Sequence, residues 1–209
     1  MKGAPGYMQW NDIEERWNKG NSLLFTRDSA CLQELLARIR EQKHRTLVLW
    51  ALACAGESVR ILKERYPEDT RPETAVRLCR DWSGGIVKMP VAKKALLQVH
   101  TAAKGCTNAA DIARYHAIGQ ACATVHVETH AIGLPIYELT AVVRERGIAS
   151  FEEAVNQRLH CYIHTLAQCA AEIESGPSRS WAQFLLDDSR PNKERLLFEK
   201  QLQSAALSP

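Results

Sequence analysis

Apolar residues recur along this chain at helical spacing and almost nowhere in strict alternation. Helical spacing puts one face of a helix against a core, whereas alternation would mark a half-buried strand. In "SACLQELLARIREQK", Leu32, Leu35, Leu36 and Ile39 fall on one face, with Asp28 placed to cap the start. "TLVLWALACAGESVRILKERY" reads as one helical run that stops before Pro67. Ala75, Val76, Cys79 and Trp82 form the next stripe, with Pro72 in its first turn and Gly84 at its end. Pro90 opens a helix that ends before Gly105, and Asn108 caps a long segment, "AADIARYHAIGQACATVHVETHAI", rich in small residues. Pro135 lacks an N–H and crowds the carbonyl four residues back, so that segment must kink or break near Gly133. A further helix reaches Gly147. Ser150 and Glu153 have capping-box spacing ahead of "FEEAVNQRLHCYIHTLAQCAAEIES", which Gly176-Pro177 stops. Two shorter pieces, around Trp181–Leu186 and Asn192–Leu207, finish the chain, and the many charges of the last predict that it frays or packs loosely.

The pattern therefore predicts an all-α chain, a single-domain helical bundle of about seven to nine helices with no sheet. A length of 209 residues suits one compact domain. Composition adds little beyond excluding disorder, with 45% hydrophobic and 24% charged residues. The net charge is +3, but Arg and Lys are interleaved with Glu and Asp, so no basic stripe marks a nucleic-acid groove. Seven cysteines, odd in number and without a Cys-x-x-Cys, read as buried small hydrophobes of a reducing cytoplasm. The N-terminal stretch lacks the apolar core of a leader, and no run of eighteen apolar residues would span a membrane. A cytoplasmic protein is expected.

Histidine is the residue type that could carry chemistry. His126 and His130, taken as helical, lie about 40° apart, and His116 falls in the same sector. His160 and His164 repeat the spacing, so two facing pairs could offer four imidazoles to Zn²⁺. Against this, Glu128 would point about 160° away from His126, which is not the His-Glu-x-x-His arrangement. Only Glu41 to His44 has the Glu-x-x-His form a di-iron bundle needs twice. The histidines are expected to be packing residues, with no metal, no cofactor and no catalytic residue. No nucleophile elbow, Walker loop or dinucleotide fingerprint is present, and Gly84-Gly85 reads as a helix stop. A cysteine enzyme would need an accessible, activated thiolate, and Trp50 and Trp82 read as core. The open alternatives are a metal-dependent enzyme built on the histidine cluster and a homodimeric scaffold joined through the last helix.

One block resembles a known family. "HRTLVLWALACAGESVRILKERYPEDTRPETAVRLCRDWSGGIVKM" is similar to the opening of the immunity-protein-five-like family, helical immunity proteins of bacterial polymorphic toxin systems. The shared residues are the tryptophan run (Leu49, Trp50, Ala51, Cys54, Ala55), the turn Tyr66, Pro67, Asp69, Arg71, Pro72, and Trp82 before a Gly. Downstream, "GQACATVHVETHAIGLPIYELTAV" resembles the family's Gly-x-Ala-x-Ala-Thr-x-His-x-x-x-His-Ala segment. The chain departs from the pattern at Ala53, where an acidic residue is common, and at Pro135, where small residues are usual. The resemblance divides the chain into an N-terminal extension with a short helix (1–31), an immunity-protein-like helical core (32–146), and C-terminal helices packed on it (147–209). It implies a binding protein without enzymatic activity, whose partner is a cognate toxin protein. Glu64, Glu68, Asp69 and Glu73, around "KERYPEDTRPE", are the acidic candidates for partner contact.

Overall fold

A computed structural model describes residues 10–176 and 179–206. The expectations for the leader region (residues 1–9), for Pro177 as a stop and for Leu207 lie outside the described residues. Among those described there are helices and no strand. They are α1 (Asn11–Asn18), α2 (Gln33–Arg40), α3 (His44–Cys54), α4 (Gly56–Arg65), α5 (Arg71–Ser83), α6 (Met89–Lys104), α7 (Ala109–Ala123), α8 (Gly133–Arg146), α9 (Glu152–Glu174) and α10 (Lys193–Ala206). No helix among the described residues is long and apolar enough to cross a membrane.

Helix α7 is the centre. It packs against α3, α4, α5, α6 and α8. A helix surrounded in this way has little solvent-facing surface, and α7 buries Ala110, Ala113, Ala117, Ile118, Ala121 and Cys122 together with the polar Asp111 and Arg114. Its small side chains allow close approach, as where Ala110 and Ala113 meet Ala141 of α8. Asn108 caps it as expected, accepting hydrogen bonds from the N–H groups of Ala110 and Asp111.

A second anchor joins α3, α8 and α9. Trp50 is fully buried, its indole N–H donates to the Tyr162 carbonyl at 2.9 Å, and the two rings meet edge to face. The Tyr162 hydroxyl donates to Glu138 at 2.6 Å, and Arg158 completes the set with bonds to Glu138 (2.9 Å) and the Cys54 carbonyl (2.7 Å). Buried charges survive only when paired in this way.

Several local expectations need correction. The run from Thr46 to Tyr66 is two helices, divided at Ala55. Arg158 takes the Cys54 carbonyl, which an uninterrupted helix would have used internally. Asp28 caps nothing. Instead, the Ser29 hydroxyl receives the Thr26 N–H and donates to Asp12, and α2 is entered through a short 3₁₀ turn. The Ser150–Glu153 capping box does not form either. Ser150 donates back to the Arg146 carbonyl at the end of α8, Glu153 accepts from Gln157, and buried Phe151, packed on Trp10, sets the start of α9. The start of α10 is also firmer than its charges suggested. Glu194 is buried against Arg27, and Asn192 donates to the carbonyls of Ile39 and Gln42. Further along, Leu196, Leu197 and Leu202 are exposed.

All seven cysteines are free thiols; Cys161, contrary to expectation, is exposed, and Cys31 and Cys106 are half-buried. Burial pushes the Cys54 thiol up to about 12, which leaves it protonated and inert. Replacing Trp50 by Ala is expected to cost about 3–5 kcal/mol, with Trp50→Phe costing less because a ring is retained. Chemical denaturation of the two variants checks the order.

Candidate functional site

The histidine segment is not helical. α7 ends at Ala123, where the Thr124 hydroxyl donates to the Gln120 carbonyl and His44 of α3 binds the Thr124 carbonyl at 2.7 Å. Val127 is extended, Glu128–His130 forms one 3₁₀ turn, and α8 begins at Gly133 with Pro135 in its first turn. The break that Pro135 predicts near Gly133 thus occurs, but the helix has already ended at Ala123. His126 and His130 therefore do not share a helix face. His126 is exposed and stacks on Trp82 with ring centroids 6.3 Å apart. His130 turns inward, its Nδ1 2.8 Å from Gln120 Oε1.

Glycines make this possible. A Cβ on Gly133 would lie 2.5 Å from Gln120 Oε1, the atom that meets His130. A Cβ on Gly119 would lie 2.3 Å from Cε1 of His100, whose ring lies against α7. His100 in turn meets His116 at 2.9 Å, Nδ1 to Nδ1, so one ring must donate and the other accept. His116 packs on the Tyr137 ring at 5.2 Å.

His100, Gln120, His126 and His130 line a cleft of about 290 Å³ between α5, α6 and the end of α7. Its polar groups are these and Lys93, which is exposed; Trp82, Met89 and Leu97 supply much of the apolar wall. Burial lowers the imidazole pKa of His100, His116 and His130, and the neighbouring rings act in the same direction on His100. Neutral imidazoles with apolar walls can hold an uncharged or planar group by hydrogen bonding and stacking. His160 and His164 are exposed on α9, which contributes nothing to this lining. Among the described residues, no group of three or more His, Cys, Asp or Glu side chains is arranged to hold a metal ion.

The acidic turn is built differently. Asp69 accepts from the Tyr115 hydroxyl at 2.7 Å and from Arg71 at 2.7 Å. Burial opposes its charge, yet these bonds hold its carboxyl below the usual range. Tyr66 donates to buried Asp111, which also binds Arg65. Glu64 pairs with Arg60 at 2.5 Å and Glu73 with Lys63 at 2.6 Å, while Glu68 is exposed. Sequence reasoning missed His100, because the residue it meets lies sixteen positions away on another helix. Trp82 is in the core as expected, and it also lines the cleft and faces Phe184 at 5.5 Å.

The model of a family described as "Imm-5 like putative immunity protein" matches residues 37–169. No curated protein and no solved structure matches the chain. The matched stretch includes the tryptophan helix, the acidic turn and every histidine of the cleft.

Two measurements probe this construction. His100, His116 and His130 have folded pKa values below the ordinary imidazole value, so the unfolded chain binds more protons in that range. Their contribution is complete above about pH 6.5 and is lost as pH falls through that value towards the folded pKa values. The melting temperature should therefore fall between pH 7.5 and pH 5, and His100→Phe with His116→Phe should flatten that slope. Gly119→Ala should destabilise by about 1–3 kcal/mol through overpacking. The same change made in a His100→Ala background should cost much less, which a double-mutant cycle reads directly.

Proposed function

The chain belongs to the family of Imm-5 like putative immunity proteins, and from that premise we propose that it neutralises a cognate toxin protein by direct, non-enzymatic binding in the cytoplasm. The observation that carries this reading is the rim of the histidine cleft. Met89 and Leu97 of its lining are 41% and 52% exposed, and Phe184, 40% exposed, lies beside it against Trp82 at 5.5 Å. Large apolar side chains gathered in the open around a concavity have the anatomy of a binding hot spot. Inhibition by binding asks for such a surface and for no reacting group.

The acidic turn is the second contact surface we assign. Glu64, Glu68, Asp69 and Glu73 would steer a basic partner more than hold it, since exposed pairs contribute little affinity. Glu64 and Glu73 would first have to exchange their own Arg60 and Lys63 partners, and Asp69, held by Tyr115 and Arg71, would act through its charge alone. The exposed leucines of α10 favour one further reading, self-association of the chain.

Co-expression with a candidate toxin, followed by size-exclusion chromatography with mass determination, tests both. A complex of one chain with one toxin is expected, with growth rescued from toxicity. Leu97→Glu or Phe184→Glu should weaken it on the order of tenfold or more, as at other hot spots. Glu68→Lys should mainly slow association. Absence of a complex, or one indifferent to Leu97→Glu and Phe184→Glu, overturns the cleft as the binding surface. A concentration-dependent dimer of the chain alone would support the α10 reading.

A further inference from the structure

His126 also lines a second cavity, of about 350 Å³, bounded by His44, Glu128, Phe184, Leu196 and the segment around Asp187 and Asp188. Among the residues that line it, Glu128 holds a buried polar atom without a partner. It is 6% exposed, and its Oε2 has no hydrogen-bond partner. Its Oε1 stands 3.5 Å from His44 Nδ1. The other nitrogen of His44 binds the Thr124 carbonyl, which can only accept, so that nitrogen must carry a proton. Nδ1 then offers Glu128 at most one proton, and one proton cannot serve two carboxylate oxygens.

The surrounding cations are committed elsewhere. Arg27 reaches the Thr129 carbonyl but holds Glu194. Lys43 binds Glu174 at 2.7 Å, Arg45 binds Asp188 at 2.6 Å, and Arg190 lies 3.5 Å from Asp187. Lys193 is the remaining lining cation, and it is exposed. A buried carboxylate oxygen left without a donor is costly, and an incoming ammonium or guanidinium removes that cost with a charge-assisted bond. Phe184 and Leu196, 40% and 36% exposed, give the aliphatic stem of such a group an apolar wall.

We propose that this cavity receives an arginine or lysine side chain of the toxin, with its charged end on Glu128 and its stem along Phe184 and Leu196. The source of the cation rests on the toxin-binding reading; the chemistry of the cavity does not. The site would stand beside the apolar cleft, so that one partner surface supplies an apolar anchor and a cation on either side of His126.

The test uses the full chain and three small probes: n-butylguanidinium, n-butylammonium and the uncharged n-butylurea. Titration is followed by the NMR signals of the His44 and His126 rings. At least one of the cations should saturate with a dissociation constant on the order of millimolar, the range open to so small a ligand. The urea should bind at least about tenfold more weakly, a comparison made entirely on the wild type. Glu128→Gln, checked for folding by its melting curve, should abolish the difference between charged and uncharged probes. Equal binding of urea and cations, no binding of either cation, or undiminished cation selectivity in a folded Glu128→Gln chain would overturn the site. Probe binding without any toxin complex would reject the toxin as the cation's source. A toxin complex without probe binding would reject the cavity and leave the toxin reading standing.

Discussion

Helix α7 is enclosed by five other helices and still carries polar side chains, so each of those groups must find a partner from a neighbouring element. Arg114 takes Glu145 from α8, and Asp111 takes Arg65 and Tyr66 from α4 and the turn after it. Tyr115 takes Asp69, His116 takes His100, and Gln120 takes His130. The positions of α4, α6, α8 and the connecting turns follow from these demands as much as from apolar packing. A helix buried on all sides would be simpler with an apolar sequence. The polar groups it keeps are what fix the register of its neighbours.

The same constraint explains why both cavities lie at one end of α7. The helix must stop somewhere, and its final carbonyls need donors. His44 supplies one for Thr124, and the chain that follows folds back as a single 3₁₀ turn. That turn sends His126 outward onto Trp82 and His130 inward onto Gln120, and it buries Glu128 between them. Two adjoining cavities of different character result, one walled by apolar groups and neutral imidazoles, the other holding an unsatisfied carboxylate.

Family resemblance and structure meet at these residues. Tyr66 and Asp69 of the acidic turn are tied to Asp111 and Tyr115 of α7, so they secure the turn. Gly119 is needed because the His100 ring occupies the space a Cβ would take, and Gln120 needs Gly133 for the same reason. Tyr66, Asp69 and Gly119, all within the matched stretch, are therefore part of the means by which α7 is enclosed. The exposed rim of Met89, Leu97 and Phe184 carries no such internal duty, and Phe184 lies beyond the family match.

The sequence by itself determined the helices, because three-to-four spacing, Pro72, Pro90, Gly84, Gly105 and the Asn108 cap act within a few residues of one another. It also carried the family resemblance and the buried role of Trp50. Tertiary structure decided where two helical runs are interrupted. Arg158 reaches the Cys54 carbonyl from 104 positions away, and His44 reaches that of Thr124 from 80 positions away. A donor from a distant helix competes with the helix's own N–H, and local periodicity holds no trace of it. The site was illegible for the same reason. His126 and His130 fall on one face only if the chain stays helical past Ala123, whereas the pairing of His100 with His116 exists only once α6 lies against Gly119.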